Sequence, residues 1–277
     1  LQGFVDNQGD AWRFTLDYVE RFLSPTAGDS LPISPDEALN RHAHYDTLIE
    51  TLGRRVGEMH MALATTTGDP AFDPEPVSVE DLKAWTETVR QDLTSTLWLL
   101  RDRLHSLPES LHETTQRLLD CKGRLLREIH AISDFQPTFA KTRYHGDLHL
   151  GQVLLVQNDF IIIDFEGEPA RPVAERRTKS SPLRDVAGML RSFNYAAHAT
   201  LKKLTVERPG DRELLEPLAS AWERGARKAF MAGYRYGIGG AASWPEQYGR
   251  ALGLIALFSL EKALYEVRYE LNNRPAW

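Results

Sequence analysis

The sequence predicts a mainly α-helical fold of the α+β class, with one small β-hairpin region near the middle of the chain. Two observations carry this prediction. Apolar residues recur at three- and four-residue spacing before about residue 140 and again after about residue 181, which is typical of amphipathic helices. Short runs of strand-type residues, joined by polar turns, occur only between these two helical parts. No internal repeat or low-complexity tract indicates a different architecture.

Several predicted helices come before the hairpin region. The first follows Gly9-Asp10, and a loop with Pro25 and Pro32 ends it. The second begins at Ser34-Pro35, because a serine followed by proline is typical of an N-cap and the first helical position. The segment 65–76 contains three prolines and ends this second helix. The predicted helices span residues 12–23, about 34–64, about 79–104 and about 110–132.

Strand-type runs follow in the middle of the chain, at residues 142–145, 153–156 and 160–163. Residues 157–159 are interpreted as the hairpin loop between the last two runs. Helical periodicity then returns at residues 183–204, 212–236 and 248–272. The segment 237–242 fits a G-x-G-x-x-A dinucleotide pattern, but that motif requires a strand before it. Because a predicted helix precedes it, we interpret this segment as a turn between two helices.

The composition is that of an ordinary folded protein and excludes several classes of protein and of binding site. The 277 residues carry a net charge of −6, whereas a nucleic-acid-binding protein needs a concentrated basic surface. Cys121 is the only cysteine, which excludes an intramolecular disulfide and a thiolate-cluster zinc site. No apolar run approaches the roughly 20 residues of a membrane span, and no signal peptide is visible. We therefore expect a cytoplasmic protein with neither membrane nor nucleic-acid partners.

The strand-rich segment carries the residues with the clearest chemical potential. Asp147 is followed by Gln152 five residues later, and Asp164 follows Asp147 by seventeen residues at the end of a predicted hairpin strand. Phosphoryl transfer requires an acceptor for the proton of the attacking hydroxyl and oxygen ligands for Mg²⁺. Protein kinases place an Asp, an Asn five residues later and a D-F-G sequence in this order. Here Gln152 replaces the Asn, and Glu166 replaces the final Gly.

The sequences His145-Gly146-Asp147 and Ile163-Asp164-Phe165-Glu166 resemble those of the aminoglycoside-phosphotransferase-like kinases, which have a protein-kinase-like fold. A closer resemblance is to the maltokinase family, including the half that some bacteria fuse to trehalose synthase. It extends over residues 144–197 and also includes residues 7–12 and 265–277. The resemblance implies an ATP-dependent kinase with Mg²⁺ that converts maltose to maltose 1-phosphate. It also implies that a trehalose synthase domain could be present in the same or a partner chain.

The resemblance also implies roles for individual residues. Asp147 would be the catalytic base, although a turn-capping aspartate is the alternative. The remaining roles implied by the resemblance are metal binding by Gln152, Asp164 and Glu166, sugar binding by His149, Glu168, Tyr269, Glu270 and Arg274, and structural support by His145 and Asp185. His149 could instead be a solvated loop residue, and the last three sugar-binding candidates could instead belong to a solvated, salt-bridged helix end. Glu166 could also hydrogen-bond sugar hydroxyls, and Glu168 could also bind metal.

A kinase also needs an N-terminal lobe with a glycine-rich loop and a strand lysine to hold the ATP phosphates. The lysines before Asp147 lie at 83, 122 and 141, none in a suitable strand, and that region contains no G-x-G sequence. We therefore expect the chain, which starts at Leu1 rather than Met, to be a C-terminal lobe that begins at the hinge and is inactive alone. The predicted division is hinge 1–11, helical subregion 12–140, catalytic loop and metal-binding hairpin 141–180, and C-terminal helical subregion 181–277.

Two other functions remain open at this point. The first is a kinase for another small alcohol, such as an amino sugar or choline, for which a net negative charge is suitable but weakly diagnostic. The second is a non-catalytic sugar-binding or docking module of trehalose synthase. Retention of both Asp147 and Asp164 argues against complete loss of catalysis in the second case.

Overall fold

The computed structural model describes residues 3–24, 42–169, 171–206 and 209–273, and these residues form two compact units. The first unit comprises the described residues of 1–74 and 142–243, and the second comprises those of 75–141 and 244–277. The elements in chain order are α1 Ala11–Leu23, α2 Ala43–Leu63, β1 Glu75–Pro76, α3 Val79–Arg103, α4 His112–Asp120, α5 Lys122–Ser133, β2 Ala140–Lys141, β3 Val153–Val156, β4 Asp159–Ile162, α6 Val173–Arg176, α7 Leu183–Thr205, α8 Arg212–Ile238 and α9 Tyr248–Asn273.

The prediction of a mainly helical α+β fold with a central hairpin is confirmed. Strands β3 and β4 pair antiparallel, with Val153 opposite Ile162 and Val156 opposite Asp159. The hairpin turn is therefore one residue shorter than predicted, because Asp159 lies in the strand. Gln157 in this turn has φ +56°, the left-handed conformation that a tight turn requires. Arg55 of α2 donates two hydrogen bonds to the Asp159 carboxylate and fixes the hairpin to that helix.

The structure differs from the predicted elements at several points. The helix predicted at 110–132 is two helices, α4 and α5, which meet at Cys121. The strand predicted at 142–145 is reduced to one bridge between Thr142 and Ser180. Strands β1 and β2 pair with each other but were not predicted, because two residues are too short to show a period. The predicted cap at Ser34 lies outside the described residues.

The second unit is held together by polar contacts at the start of α3 and by packing of α9 along that helix. Ser78 and Asp81 form a capping box, in which each side chain accepts a hydrogen bond from the other residue's backbone N–H. Lys141 of β2 donates to Asp81 at 2.8 Å, which connects the small sheet to the same helix start. The rings of Trp85 and Phe258 meet edge to face, with centroids 5.7 Å apart. None of the helices in the described part of the chain is both long and apolar enough to cross a membrane.

The first unit depends on an unusually close approach between α2 and α8. A Cβ atom added to Gly53 would lie 2.0 Å from the carbonyl oxygen of Phe230, and one added to Gly233 would lie 1.8 Å from that of Glu50. Gly237 is equally tight, since its Cβ would lie 2.2 Å from the carbonyl oxygen of Arg54. Glycine is required at these positions because the two backbones touch where a side chain would begin. The segment 237–242 therefore serves helix packing and the connection that follows α8, as the helix-turn interpretation expected.

We expect the substitution Gly233→Ala to destabilise the first unit, although alanine is intrinsically the better helix residue by about 1 kcal/mol. The added methyl group overlaps the backbone of α2, and overpacking of this kind costs typically about 1–3 kcal/mol, occasionally more. The measurement is the free energy of unfolding in a denaturant titration. Gly123→Ala in α5 is the matched control, because its Cβ would meet only the end of the Arg127 side chain at 3.6 Å. Equal stability of the two variants would show that the helices do not pack this closely.

Candidate active site

The loop that carries Asp147 is anchored by the imidazole of His145, which is buried. Nε2 of this ring lies 2.8 Å from the carbonyl oxygen of Ile163, and Nδ1 lies 3.3 Å from the backbone nitrogen of Asp147. Because a carbonyl only accepts and a backbone N–H only donates, the ring is neutral, with its proton on Nε2. His145 therefore ties the backbone of Asp147 to the residue that follows β4.

Asp185 in the first turn of α7 holds the same loop through hydrogen bonds from its backbone. Its buried carboxylate accepts hydrogen bonds from the backbone N–H of His145 at 2.7 Å and from that of Gly146 at 2.9 Å. Gly146 has φ +88°, and a Cβ there would lie 3.2 Å from Cα of Gly167. This turn therefore favours glycine at position 146. The geometry is the one that a structural role for His145 and Asp185 requires.

Two further contacts place the loop on α7. The backbone N–H of Leu150 donates to the Ser192 hydroxyl at 3.1 Å. A Cβ on Gly188 would lie 2.6 Å from the carbonyl oxygen of Leu148, so the helix and the loop touch at a glycine. Residues Leu150–Gln152 then form one turn of 3-10 helix, which leads directly into β3.

The side chain of Asp147 is partly accessible, with 20% of its surface exposed, and His149 stands beside it. Nε2 of His149 lies 4.0 Å from Oδ2 of Asp147. Nδ1 of the same ring accepts a hydrogen bond from the backbone N–H of Gly151 at 3.0 Å, so in the neutral ring the proton is on Nε2. A proton donor therefore faces the carboxylate of Asp147 at the accessible edge of the loop.

Gln152 and Asp164 meet at the other end of the loop. The side-chain Nε2 of Gln152 donates to Oδ2 of Asp164 at 2.9 Å. The main-chain carbonyl of Gln152 accepts from the backbone N–H of Ile163 at 3.0 Å. Asp164 has φ +63°, a left-handed conformation that is uncommon for a residue other than glycine. Such outliers concentrate at functional sites, where the surroundings enforce them. The amide group of Gln152 and the carboxylate of Asp164 thus lie next to each other, and amide and carboxylate oxygens are the ligand types that a hard cation such as Mg²⁺ takes.

Glu166 and Glu168 lie in the segment that follows Asp164. The main-chain carbonyl of Glu166 accepts from Arg176 at 3.1 Å, and its side chain is exposed. The carboxylate of Glu168 accepts from Arg171 at 3.3 Å. Within the described ranges, no three His, Cys, Asp or Glu side chains group closely enough to hold a metal ion. The metal roles of Glu166, Gln152 and Asp164 therefore all stay predictions.

The sequence-predicted residues that the structure describes are divided between the two units. The first unit brings together His145, Asp147, His149, Gln152, Asp164 and Asp185. Tyr269 and Glu270 lie on α9 in the second unit, where the Tyr269 ring stacks on that of Tyr265 with centroids 6.5 Å apart. Arg274 lies outside the described residues. A sugar-binding role for these three residues stays a prediction.

Sequence reasoning missed two buried residues that reach the loop through Asp185. Nε2 of His60 on α2 lies 3.0 Å from Oδ2 of Asp185, and the hydroxyl of Tyr234 on α8 lies 3.0 Å from Nδ1 of His60. Burial, together with the charge of Asp185, raises the pKa of Tyr234 well above its ordinary value. The sequence carries no signal for these contacts, because His60 lies in an apolar helical stripe and its partners are 125 and 174 residues away.

Comparisons with known proteins identify a family and several relatives of this chain. The model of the phosphotransferase enzyme family (APH) matches residues 29–218, which is more than half of the chain. A glucosamine kinase of Streptacidiphilus jiangxiensis is 24% identical over 226 residues, covering 82% of this chain and 43% of that protein. A glucosamine kinase of Mycolicibacterium smegmatis is 27% identical over 233 residues, covering 83% of this chain and 50% of that protein. The chain thus spans about half the length of these curated relatives or less.

Solved structures show the same fold. A glucosamine kinase in complex with glucosamine, ADP and inorganic phosphate superposes with a TM-score of 0.70 at 23% identity, covering 99% of this chain and 56% of that one. A second crystal form of a glucosamine kinase gives a TM-score of 0.69, also at 23% identity, with coverage of 97% and 55%. At this identity the likeness establishes the fold alone. The relatives are glucosamine kinases, so the narrower expectation of a maltokinase receives no support from them.

We expect His145→Ala to lower the free energy of unfolding by about 2 kcal/mol or more, because it leaves the Ile163 carbonyl and the Asp147 N–H without their buried partner. The exposed His130 in α5 provides the control, since His130→Ala should change stability by no more than about 0.5 kcal/mol. Denaturant titration of both variants is the measurement. A loss for His145→Ala no larger than that of the control would mean that the ring does not hold the loop.

Proposed function

Because this chain belongs to the phosphotransferase enzyme family, we propose that it is the C-terminal lobe of an ATP-dependent kinase that phosphorylates a hydroxyl group of a small sugar. The observation that carries this proposal is one network of hydrogen bonds in the first unit, which connects Asp147 and Gln152 on the loop before β3 to Asp164 in the turn after β4. Two carboxylates and an amide held together in this way are the parts that phosphoryl transfer requires from this lobe.

In the proposed reaction Asp147 orients the sugar hydroxyl and accepts its proton while the hydroxyl oxygen attacks the γ-phosphorus of ATP. The new bond joins this oxygen to phosphorus, and the bond to the β,γ-bridging oxygen breaks, so that ADP leaves with the electron pair. Asp147 suits the role because its backbone is fixed by His145 while its carboxylate stays partly exposed. His149, 4.0 Å away, would donate its Nε2–H to the sugar or to Asp147. Gln152 and Asp164 would hold Mg²⁺, which neutralises the charge of the phosphate groups when bound.

We propose an amino sugar of the glucosamine type as the acceptor. The two curated relatives and the solved structures are glucosamine kinases. The segment after β4 adds support, because it carries Glu166 and Glu168, and carboxylates attract a protonated amine. Residues 147–168 contain no lysine or arginine, although the carboxylate of Glu168 accepts a hydrogen bond from Arg171.

Maltose is the second candidate acceptor. The stacked rings of Tyr265 and Tyr269, which are 39% and 47% exposed, favour it, since exposed aromatic faces suit the apolar faces of a disaccharide. This alternative agrees with the resemblance of the C-terminal segment to maltokinases.

We expect Asp147→Asn in the full-length protein to lower kcat by at least about 10²-fold, the contribution of a positioned general base. Sugar binding should remain within about twofold of the original affinity, because the amide keeps the size and polarity of the side chain. ADP release and sugar-binding calorimetry are the two measurements. Asp102→Asn, an exposed position at the end of α3, is the control for the loss of one carboxylate. If Asp147→Asn retains most of its rate, Asp147 is not the base.

We expect the full-length protein to show its highest kcat/KM with glucosamine when ADP release is measured with glucosamine, maltose and choline at equal concentrations. A preference for maltose of tenfold or more would assign the second candidate instead. Binding of a sugar without ATP turnover for any acceptor would contradict the kinase proposal and favour a sugar-binding or docking module.

A further inference from the structure

A buried chain of three side chains connects α8, α2 and α7 to the catalytic loop. It consists of Tyr234, His60 and Asp185, and each of these residues is at most 2% exposed. The Tyr234 hydroxyl lies 3.0 Å from Nδ1 of His60, and Nε2 of His60 lies 3.0 Å from Oδ2 of Asp185. The same Asp185 carboxylate binds the two backbone N–H groups that directly precede Asp147.

The direction of these hydrogen bonds follows from the chemistry of the groups. The Asp185 carboxylate only accepts hydrogen bonds, so Nε2 of His60 carries the proton that lies between them. Nδ1 of a neutral ring then accepts from the hydroxyl of Tyr234, whose pKa burial raises well above its ordinary value. Tyr234 thus favours the tautomer of His60 that has its proton on Nε2. This N–H is the third donor to the Asp185 carboxylate, besides the two backbone N–H groups.

This third donor matters because Asp185 carries a buried charge. Among the residues that the structure describes, no lysine or arginine lies within salt-bridge distance of Asp185, and the side chain that reaches its carboxylate is His60. A buried carboxylate without a cation depends on its hydrogen-bond donors, and each missing donor raises the cost of keeping the charge in place. Without His60, the carboxylate would turn toward another donor or recruit water, and the N–H groups of His145 and Gly146 would lose their fixed acceptor.

We propose that His60 is a positioning residue that acts through Asp185 on the catalytic loop, with Tyr234 fixing its tautomer. This inference rests on the proposed function only in its effect on kcat, because the effect on the loop itself can be measured without any substrate. Asp147 follows Gly146 directly, and its own N–H is held by His145, so a shift of these two residues displaces the proposed base. Displacement of a catalytic group by about 1 Å can lower a rate by about 10²-fold.

The test compares His60→Leu with His60→Gln in two measurements. The Gln side chain amide can place an N–H near the position of the imidazole Nε2–H, whereas Leu fills the space without a donor. Hydrogen exchange of a peptide that covers residues 142–150 reports on the loop, and kcat and KM of the full-length protein report on the base. We expect His60→Leu to accelerate exchange in this peptide and to lower kcat about 10- to 100-fold with KM changed less than about threefold. His60→Gln should retain most of the exchange protection of this peptide and most of kcat.

Tyr45→Phe is the matched control on the same helix. The hydroxyl of Tyr45 lies 3.0 Å from that of Thr15 in a buried pair that does not touch the loop. We expect this variant to leave kcat and exchange at residues 142–150 unchanged, even where it lowers stability. If His60→Leu does not fold, Tyr234→Phe replaces it, since it removes one oxygen atom and should lower kcat by about fivefold, the equivalent of one neutral hydrogen bond.

Three outcomes would overturn the proposal: unchanged exchange of residues 142–150 in His60→Leu, an equal loss in His60→Gln, or accelerated exchange with an unchanged kcat. Absence of phosphate transfer in the unsubstituted protein would instead contradict the proposed function. In that case the exchange data alone decide whether His60 holds the loop.

Discussion

The carboxylate of Asp185 is the contact on which the geometry of the candidate site depends. It is buried at the start of α7, and it accepts hydrogen bonds from His60 and from two consecutive backbone N–H groups of the loop that carries Asp147. A charge in this position is stable only while its donors remain in place. The loop therefore stabilises Asp185 as much as Asp185 positions the loop. This mutual dependence explains how a segment without regular secondary structure can present Asp147 in one conformation.

The glycines of α2 and α8 make this arrangement possible. Gly57 precedes His60 by one turn of α2, and Gly233 immediately precedes Tyr234 on α8. Because backbone atoms of the two helices meet where side chains would begin, the imidazole and the phenol come within 3.0 Å of each other inside the packed interface. Larger residues at the glycine positions would push the two helices apart, and the hydrogen bond between His60 and Tyr234 could not span the wider gap. Packing and polar contacts are therefore two results of the same close approach.

Much of this molecule could be predicted from its sequence, and each part that could not has a physical cause. Helical periodicity located α1, α3, α7, α8 and α9 to within two residues at each end, because each has a long apolar stripe. Asp147, Gln152 and Asp164 could be named as candidates because their spacing along the chain is itself the signal. His60 and Tyr234 could not be found in this way, because their contact exists only after distant helices have packed. The break at Cys121 was missed because the apolar pattern continues across it.

The backbone at Asp164 shows how one residue type can satisfy two demands at once. Its φ of +63° lies in a region that glycine adopts freely and that asparagine and aspartate tolerate better than other residues. Glycine would fit the turn but would supply no ligand, whereas glutamate would supply a carboxylate on a backbone that resists the turn. Aspartate provides both, and the hydrogen bond from Gln152 fixes one of its oxygens at 2.9 Å. The turn after β4 thus favours the same residue type that the proposed cation binding would require, so the strained position and the proposed ligand coincide.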